Sequence, residues 1–395
     1  MAVTMNKREL RQMVKNMTPA EVEAHLTEAL ETRQLKPQDF SLRQLFEATV
    51  DDGAELLELW HSNHNGGMVR LIESGAIDSS LFKNISGQIV YSSVLEGYMQ
   101  PTFIGDKLCR TIPTRFDGEK IPGITELGDH SGVVREGEDY PRAGVSEDWI
   151  ETPQTTKRGM IVEITKETLI FDRTGMILER ARKVGEWLGV NKEKRIIDIA
   201  LGVVNNWKPQ GTSTNTYSNS SGLHNFDNLA NSNALENYSD INAAQQLFEA
   251  ITDPHTAEPV IITANQLLCT QALAYTARNI INGTQIEMNP NSNTGTSMTV
   301  QYVTPSVAIG QQIELLTNPW VSARMTAGSV NTTTWYFGDF KKAFAYMEIW
   351  PITVTQAPAS TDAEFQRDIV AQFKASERGV AAVIDPRYTL LNAPA

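Results

Sequence analysis

The sequence predicts a mixed α+β fold organised on one long helix that an extended, acidic hairpin feeds. Three observations carry that expectation. Met160, Val162 and Ile164 are spaced by two around Glu163, the pattern of a half-buried strand. Ile177, Ala181, Val184 and Leu188, then Ile197, Ala200, Leu201 and Val204, form one apolar stripe at helical spacing. Phe344, Tyr346, Trp350, Ile352 and Val354 alternate along a strand near the C-terminus, with Glu348 the single interruption. A helix from Gly175 to about Val204 would be roughly 45 Å long at 1.5 Å per residue, far above the usual 11 or 12 residues. Such a helix is a spine along which other elements pack. A hairpin arm delivered onto a spine points to assembly rather than catalysis.

The elements follow in order along the chain. Residues 5–60 read as helices: Thr18-Pro19-Ala20-Glu21 is a capping box with Pro at the first helical position. Val22, Leu26 and Leu30 follow as one stripe, and Leu42, Leu45, Phe46 and Val50 begin another. HSNHNGG at residues 61–67 breaks the pattern, and residues 68–102 read as two short helices. Residues 103–126 are extended, punctuated by Pro113 and Pro122. Residues 127–150 are acidic and turn-rich before the chain returns as the strand at 159–165, an out-and-back hairpin. An isolated hairpin is marginal in water. No partner strand follows in sequence, so its supporting surface is expected on a neighbouring subunit.

Asp172 and Thr174 offer N-caps for the spine helix. Beyond it, residues 208–240 are rich in Asn, Ser, Thr and Gly and read as a long surface loop. Ile241, Ala244, Leu247, Phe248 and Ile251 predict a short amphipathic helix, Pro259-Val-Ile-Ile-Thr a buried strand, and residues 264–281 a further helix. Residues 283–318 look β-rich around the loop NPNSNTGTS. Ile369, Ala371, Phe373 and Ala375 alternate again; Glu377-Arg378-Gly379 is expected to turn the chain so that residues 380–384 pair back. No internal repeat is present.

Composition narrows the function classes. The apolar fraction is 41% and the charged fraction 21%, values of a soluble globular protein. No run of eighteen apolar residues could span a bilayer, and the N-terminus lacks the apolar core of a secretion signal, so a cytosolic product without membrane contact is expected. Net charge is −13, which argues against tight wrapping of DNA, is compatible with a container, and by itself decides little. Cys109 and Cys269 lack zinc-ligand spacing and read as buried thiols.

Sites of chemistry are not evident. His61 and His64 lack a third ligand nearby and read as a solvated turn. Glu136, Glu138 and Asp139 lack calcium-loop spacing and read, with Arg135, as a solvated or intersubunit charge run. Arg180, Arg182, Lys183, Lys192, Lys194 and Arg195 make the spine helix locally basic, with Glu179, Glu186 and Glu193 interleaved and Glu179 well placed to pair Lys183. They are expected on a solvent- or subunit-facing surface rather than on nucleic acid. Trp149 is read as an anchor against a neighbouring subunit, with packing inside its own chain as the alternative. No phosphate-cradling glycine motif, nucleophile elbow or metalloprotease helix appears. Catalytic residues, metals and cofactors are accordingly assigned as none, and no enzymatic role is expected.

Several stretches together resemble the major capsid proteins of tailed phages, the Hong Kong 97-type fold shared with encapsulins. SSLFKNISGQIVYSSVLEGY followed by IPTRFDGEKIPGI resembles an N-arm and the entry to an extended loop. ETPQTTKRGMIVEITKETLIFDRTG resembles the loop's return into a spine helix. GDFKKAFAYMEIWPITV and FQRDIVAQFKASERGVAAVIDP resemble closing strands. The resemblance covers about residues 75–395. It implies a helical N-terminal segment at 1–75 (a candidate scaffold-like region), an N-arm at 76–115 and an extended loop, a long β-hairpin, at 116–165. A peripheral domain with its spine helix at 166–212 and closing strands at 337–395 would flank an axial domain at 213–336. It also implies a homo-oligomer of pentamers and hexamers forming the icosahedral head of a tailed bacteriophage or prophage. That head would be assembled in the host bacterial cytoplasm and enclose double-stranded DNA without sequence-specific binding. Candidate partners are a portal, a scaffold or maturation protease, and decoration proteins. Contact residues in that reading are Arg135, Glu136, Glu138, Trp149, Arg180, Arg182 and Lys183. Some members crosslink subunits through Lys–Asn bonds, but nothing near Lys157 singles out a reacting pair. The alternative is an encapsulin-like compartment enclosing a cargo enzyme.

Overall fold

The computed structural model describes residues 16, 19–31, 80–124, 147–165, 176–221, 224–253, 258–282, 286–288, 301–303, 312–357 and 369–394. The expectations for residues 42–67, for Asp172 and Thr174, and for the NPNSNTGTS loop lie outside them. The chain divides into two compact units. One comprises Met1–Pro101, Lys157–Asn191 and Trp350–Arg378, the other Thr102–Thr156, Lys192–Ile349 and Gly379–Ala395. The spine helix and two long strands run through both. The spine spans Met176–Ala200, 25 residues or about 37 Å. It ends where Gly202 takes φ +69°, a left-handed conformation that suits glycine.

In the first unit, helix Pro19–Glu31 packs on helix Ser80–Tyr98, burying Val22 and Leu26 as the stripe requires. The second helix crosses the spine unusually closely. A Cβ on Gly97 would lie 2.0 Å from the Arg182 carbonyl oxygen, and one on Gly185 would lie 1.9 Å from that of Val94. Only two glycines admit that backbone approach. The Tyr98 hydroxyl donates to Glu377 Oε2 at 2.6 Å, tying the helix to strand Ile369–Val383. Strand Thr156–Thr165 forms the edge of the sheet beside Ile369–Val383, which lies next to Phe344–Gln356. Val162 and Ile164 are buried and Met160 is exposed, so the period-two expectation holds for the strand's second half. Its partner is non-local but within its own chain. That corrects the expectation that the return strand has none.

Two further corrections concern the C-terminal strands. The expected turn at Glu377-Arg378-Gly379 does not occur, because Ile369–Val383 is one continuous strand. Glu377 is buried against Tyr98. Gly379 serves a close approach instead: a Cβ there would sit 2.7 Å from the Tyr346 ring. Tyr346 and Phe344 are buried as predicted, yet Ala345 and Met347 on the other face are buried too. This part of the strand is covered on both sides.

The second unit is built on a five-stranded sheet, ordered Glu314–Leu316, Gln266–Leu268, Trp335–Gly338, Thr389–Asn392, Leu229–Ala230. Its core gathers Trp335, Tyr336, Phe337, Phe340 and Phe344 with Ile196, Ile197 and Ala200 of the spine. Helix Tyr238–Glu249 forms as predicted, closed by a capping box between Asn237 and Asp240. The buried strand expected at Pro259 lies at Gln266–Leu268 instead, and Ile261 is 90% exposed. The helix expected over 264–281 is confined to Ala274–Asn282.

The Asn/Ser/Thr-rich segment after the spine is not simply a surface loop. Thr216 and Asn228 are fully buried. Asn228 accepts from the Ser218 N–H at 2.9 Å and donates to the carbonyls of Thr216 and Pro386 at 2.9 and 3.1 Å. Polar composition here encodes internal hydrogen bonding centred on Asn228 rather than solvation.

Candidate functional site

The candidate assembly element is the hairpin, and its root is well built. Lys120–Ile124 pairs antiparallel with Glu147–Glu151, placing Pro122 opposite Trp149. The hairpin therefore returns at Glu147–Glu151 and not, as expected, at 159–165, where the strand joins a different sheet. Below the strands, Thr155 donates both its N–H and its hydroxyl to Asp117 Oδ1, at 2.6 and 2.7 Å. The Thr114 hydroxyl donates to Glu119 Oε2 at 2.5 Å, and the Thr152 N–H and hydroxyl reach the Glu119 carbonyl at 2.9 and 2.8 Å. Phe116 stands out of this turn, 67% exposed.

A third segment flanks the root. Gln210 N–H donates to the Trp149 carbonyl at 3.0 Å, Glu151 N–H to that of Lys208 at 3.1 Å, and Ile150 bridges Pro209. The indole of Trp149 is half-buried, with Lys120 Nζ 4.0 Å from its ring centroid and Gly211 against its edge. Trp149 thus packs within its own chain at this root. The hairpin root therefore rests on its own subunit, which corrects the expectation that a neighbour alone supports it.

The remaining predicted residues are placed as follows. Arg135, Glu136 and Glu138 lie outside the described residues, as do Asp139, His61 and His64. On the spine, Arg180 and Lys183 are exposed and make no ion pair among the described residues. Trp187, one turn beyond Lys183, is 56% exposed on the same face. Arg182 is engaged: its Nη2 is 2.9 Å from Glu179 Oε1 and its Nε 3.2 Å from Oε2. Hydrogen bonding from Arg182 holds Glu179 below the ordinary carboxylate range. Arg182, rather than the expected Lys183, is therefore Glu179's bonded partner.

Two acidic spine residues secure the helix within the second unit: Glu193, expected on a solvent- or subunit-facing surface but buried, and Asp198, which sequence reasoning passed over. Glu193 is buried and accepts the N–H groups of Ile104 and Gly105 at 2.7 and 2.9 Å. Burial pushes its carboxyl above the usual range, against the lowering effect of those two bonds. Asp198 is gripped by Arg324 through two bonds, Nε to Oδ1 at 2.5 Å and Nη2 to Oδ2 at 2.8 Å. Charged residues on a helix gave no clue that these two face inward; only their place near the buried Ile196, Ile197 and Ile199 could have. Cys109 and Cys269 are free and buried as expected, and burial raises both thiols, Cys269 to about 12. Among the described residues no group of acidic, His or Cys side chains could hold a metal ion. No described helix is long and apolar enough to cross a membrane.

Residues 150–392 match the phage capsid protein family. No curated protein matches the chain in sequence. Among solved structures, the capsid of a native GTA particle aligns at 11% identity, covering 74% of this chain and 90% of its own, with TM-score 0.47. The capsid of the cyanophage P-SCSP1u aligns at 11% identity over 75% and 89%, TM-score 0.46. A virus-like particle from Pyrococcus furiosus aligns at 9% identity over 76% and 97%, TM-score 0.41. These three likenesses are distant, whereas the family match takes in more than half of the chain, including the spine helix and both long strands. The chain belongs to the phage capsid protein family, and its role is that of a structural subunit of a virion shell.

Proposed function

We propose that the chain is the major capsid protein of a tailed bacteriophage or prophage, assembling through pentamers and hexamers into an icosahedral head around double-stranded DNA. The observation that carries the assembly mechanism is a hairpin firmly rooted on its own subunit, combined with exposed spine cations, Arg180 and Lys183, that make no ion pair among the described residues. The hairpin is acidic, with Glu136, Glu138 and Asp139 beyond the root and Glu147 and Asp148 at its outer end, against Arg135 and Arg142. Arg180 and Lys183 of a neighbouring subunit are the charge complement, and such pairing fixes register more than it adds affinity. Many modest interfaces, repeated by symmetry, then sum to a stable shell.

The parts named from the resemblance are retained in this proposal: residues 1–75 as the N-terminal segment, 76–115 as N-arm, 116–165 as extended loop and 213–336 as axial domain. Residues 166–212 and 337–395 are the peripheral domain. A portal, a scaffold or maturation protease and decoration proteins are the expected partners, and assembly takes place in the host bacterial cytoplasm. DNA is enclosed without base-specific contacts, in keeping with a net charge of −13.

Electron microscopy of the purified recombinant protein, alongside its sedimentation profile, tests the reading. Closed icosahedral particles, or pentamers and hexamers, are expected. A homogeneous monomer at high concentration would overturn it, and particles filled with a co-purifying enzyme would favour the encapsulin-like alternative. Deleting residues 130–148 should leave folded subunits that do not close into shells.

A further inference from the structure

We infer that the turn Pro209–Thr212 is a bracket that sets the direction in which the hairpin leaves its subunit, with Trp149 and Gly211 as its positioning pair. The inference rests on the proposal that the hairpin is the intersubunit arm.

The turn is tightly specified. Gln210 and Gly211 both have positive φ, +51° and +80°, and Thr212 N–H donates to the Pro209 carbonyl at 3.0 Å. Two positive φ values across such a bond fit a type I′ turn, whose twist matches flanking strands. Below it, Trp207 bridges Thr214, whose N–H donates to the Trp207 carbonyl at 2.9 Å. One limb of this turn lies along the returning strand of the hairpin. Its two backbone bonds, Gln210 to Trp149 and Glu151 to Lys208, form an antiparallel bridge around Ile150 and Pro209 on the free side of Glu147–Glu151. A two-stranded ribbon is marginal alone, and two further backbone bonds along one edge fix its root against the turn.

The side chains lock the same geometry. Lys120 covers one region of the Trp149 ring, and Gly211 meets its edge, where an added Cβ would lie 3.1 Å from the indole Cη2 and 3.6 Å from Glu151 Oε2. Lys208 Nζ and Glu151 Oε1 sit 3.9 Å apart alongside. A Cβ at position 211 therefore requires the indole to give by a few tenths of an ångström, and the indole sits on the strand that carries the arm. A small rotation at this root is magnified along the length of the hairpin, and every subunit of a shell repeats it. Trp149 thus acts on assembly through its own subunit. Its aromatic bulk levels the arm rather than filling a pocket next door.

Gly211→Asn isolates the effect, because Asn tolerates positive φ but brings a Cβ against the ring. The expected result is a subunit melting close to wild type whose yield of closed particles falls about tenfold or more, since each misdirected arm is repeated around the shell. Gly211→Asn with Trp149→Phe removes the atoms that clash and should restore most of the yield. Amide exchange at Gln210 and Glu151, the donors of the two bracketing bonds, reads the bracket whatever the arm does. Both should be protected in wild type and less so in Gly211→Asn. Normal particle yield for Gly211→Asn, or a loss of assembly matched by an equal loss of melting temperature without rescue, would overturn the inference. So would fast exchange at both amides in the wild type. Closed shells from the 130–148 deletion, with both amides still protected, would instead sink the arm reading and leave the bracket as a local feature.

Discussion

Gly185→Ala puts a methyl group where helix Ser80–Tyr98 crosses the spine. Its Cβ would lie 1.9 Å from the Val94 carbonyl oxygen and 2.8 Å from the carbonyl carbon. Carbon and oxygen in ordinary contact stand about 3.3 Å apart, so the two helices must separate by about 1.4 Å. Both clashing atoms are backbone, so no rotamer change relieves the overlap. Overpacking costs about 1–3 kcal/mol, and the upper end applies where only rigid backbone can yield. Replacing a mid-helix glycine by alanine returns about 1 kcal/mol of helix propensity. The net expectation is a loss of about 2 kcal/mol, roughly thirtyfold in the unfolding equilibrium. Urea unfolding of the unassembled subunit, followed by far-ultraviolet circular dichroism and extrapolated linearly, measures it. Gly97→Ala should behave alike, because its Cβ would meet the Arg182 oxygen at 2.0 Å. The double variant should cost clearly less than the sum, since one separation accommodates both methyls. A Gly185→Ala subunit as stable as wild type, or more stable by the propensity gain, would show that the helices do not cross at this distance.

Three other perturbations probe the spine helix. Glu193→Ala leaves the Ile104 and Gly105 N–H groups without their acceptor, and at about 1–3 kcal/mol for a buried group left unsatisfied it should lower urea stability by at least about 2 kcal/mol. With the native carboxyl raised above its unfolded value by burial, its contribution is present below the unfolded pKa and lost as pH rises through the native one. Wild type should therefore lose ground to Glu193→Gln over that interval, and a widening advantage for wild type would contradict the assignment. Asp198→Asn weakens the two-bond grip of Arg324, and about 1–3 kcal/mol of lost urea stability is expected; an unchanged midpoint would mean that solvent already screens the pair. Arg180→Glu with Lys183→Glu should leave melting within about 0.5 kcal/mol of wild type while reducing particle yield at low salt, with partial recovery as salt screens the repulsion. Unimpaired assembly at low salt would remove these two residues from the intersubunit surface.

Local periodicity carried much of the architecture. The apolar stripe from Ile177 to Leu201 and the alternation at Phe344 and Tyr346 were legible because helices and strands repeat every 3.6 and 2 residues whatever lies beyond them. The capping residues of helix Tyr238–Glu249 are equally local, though the helix was recognised from its apolar spacing alone. Other features had no local signature. Glu377-Arg378-Gly379 has the composition of a turn, yet Glu377 finds Tyr98 and Gly379 admits the Tyr346 ring, so the strand continues. Asn228 reads as a loop residue until three backbone partners surround it. Gly97, Gly185 and Gly211 were passed over because a glycine's role depends on which backbone or ring approaches it.

By itself the sequence determined the α+β class, the spine, the existence of an acidic hairpin and, through family wording spread along the chain, membership among phage capsid proteins. Each follows from residue type and short-range spacing. Tertiary structure decided which strand accepts Thr156–Thr165, which acidic side chains of the spine turn inward, and that Trp149 is held by Lys120 and Gly211 of its own subunit. Those outcomes depend on residues distant along the chain, where a hydrogen bond or a close approach has a partner only after the chain has folded.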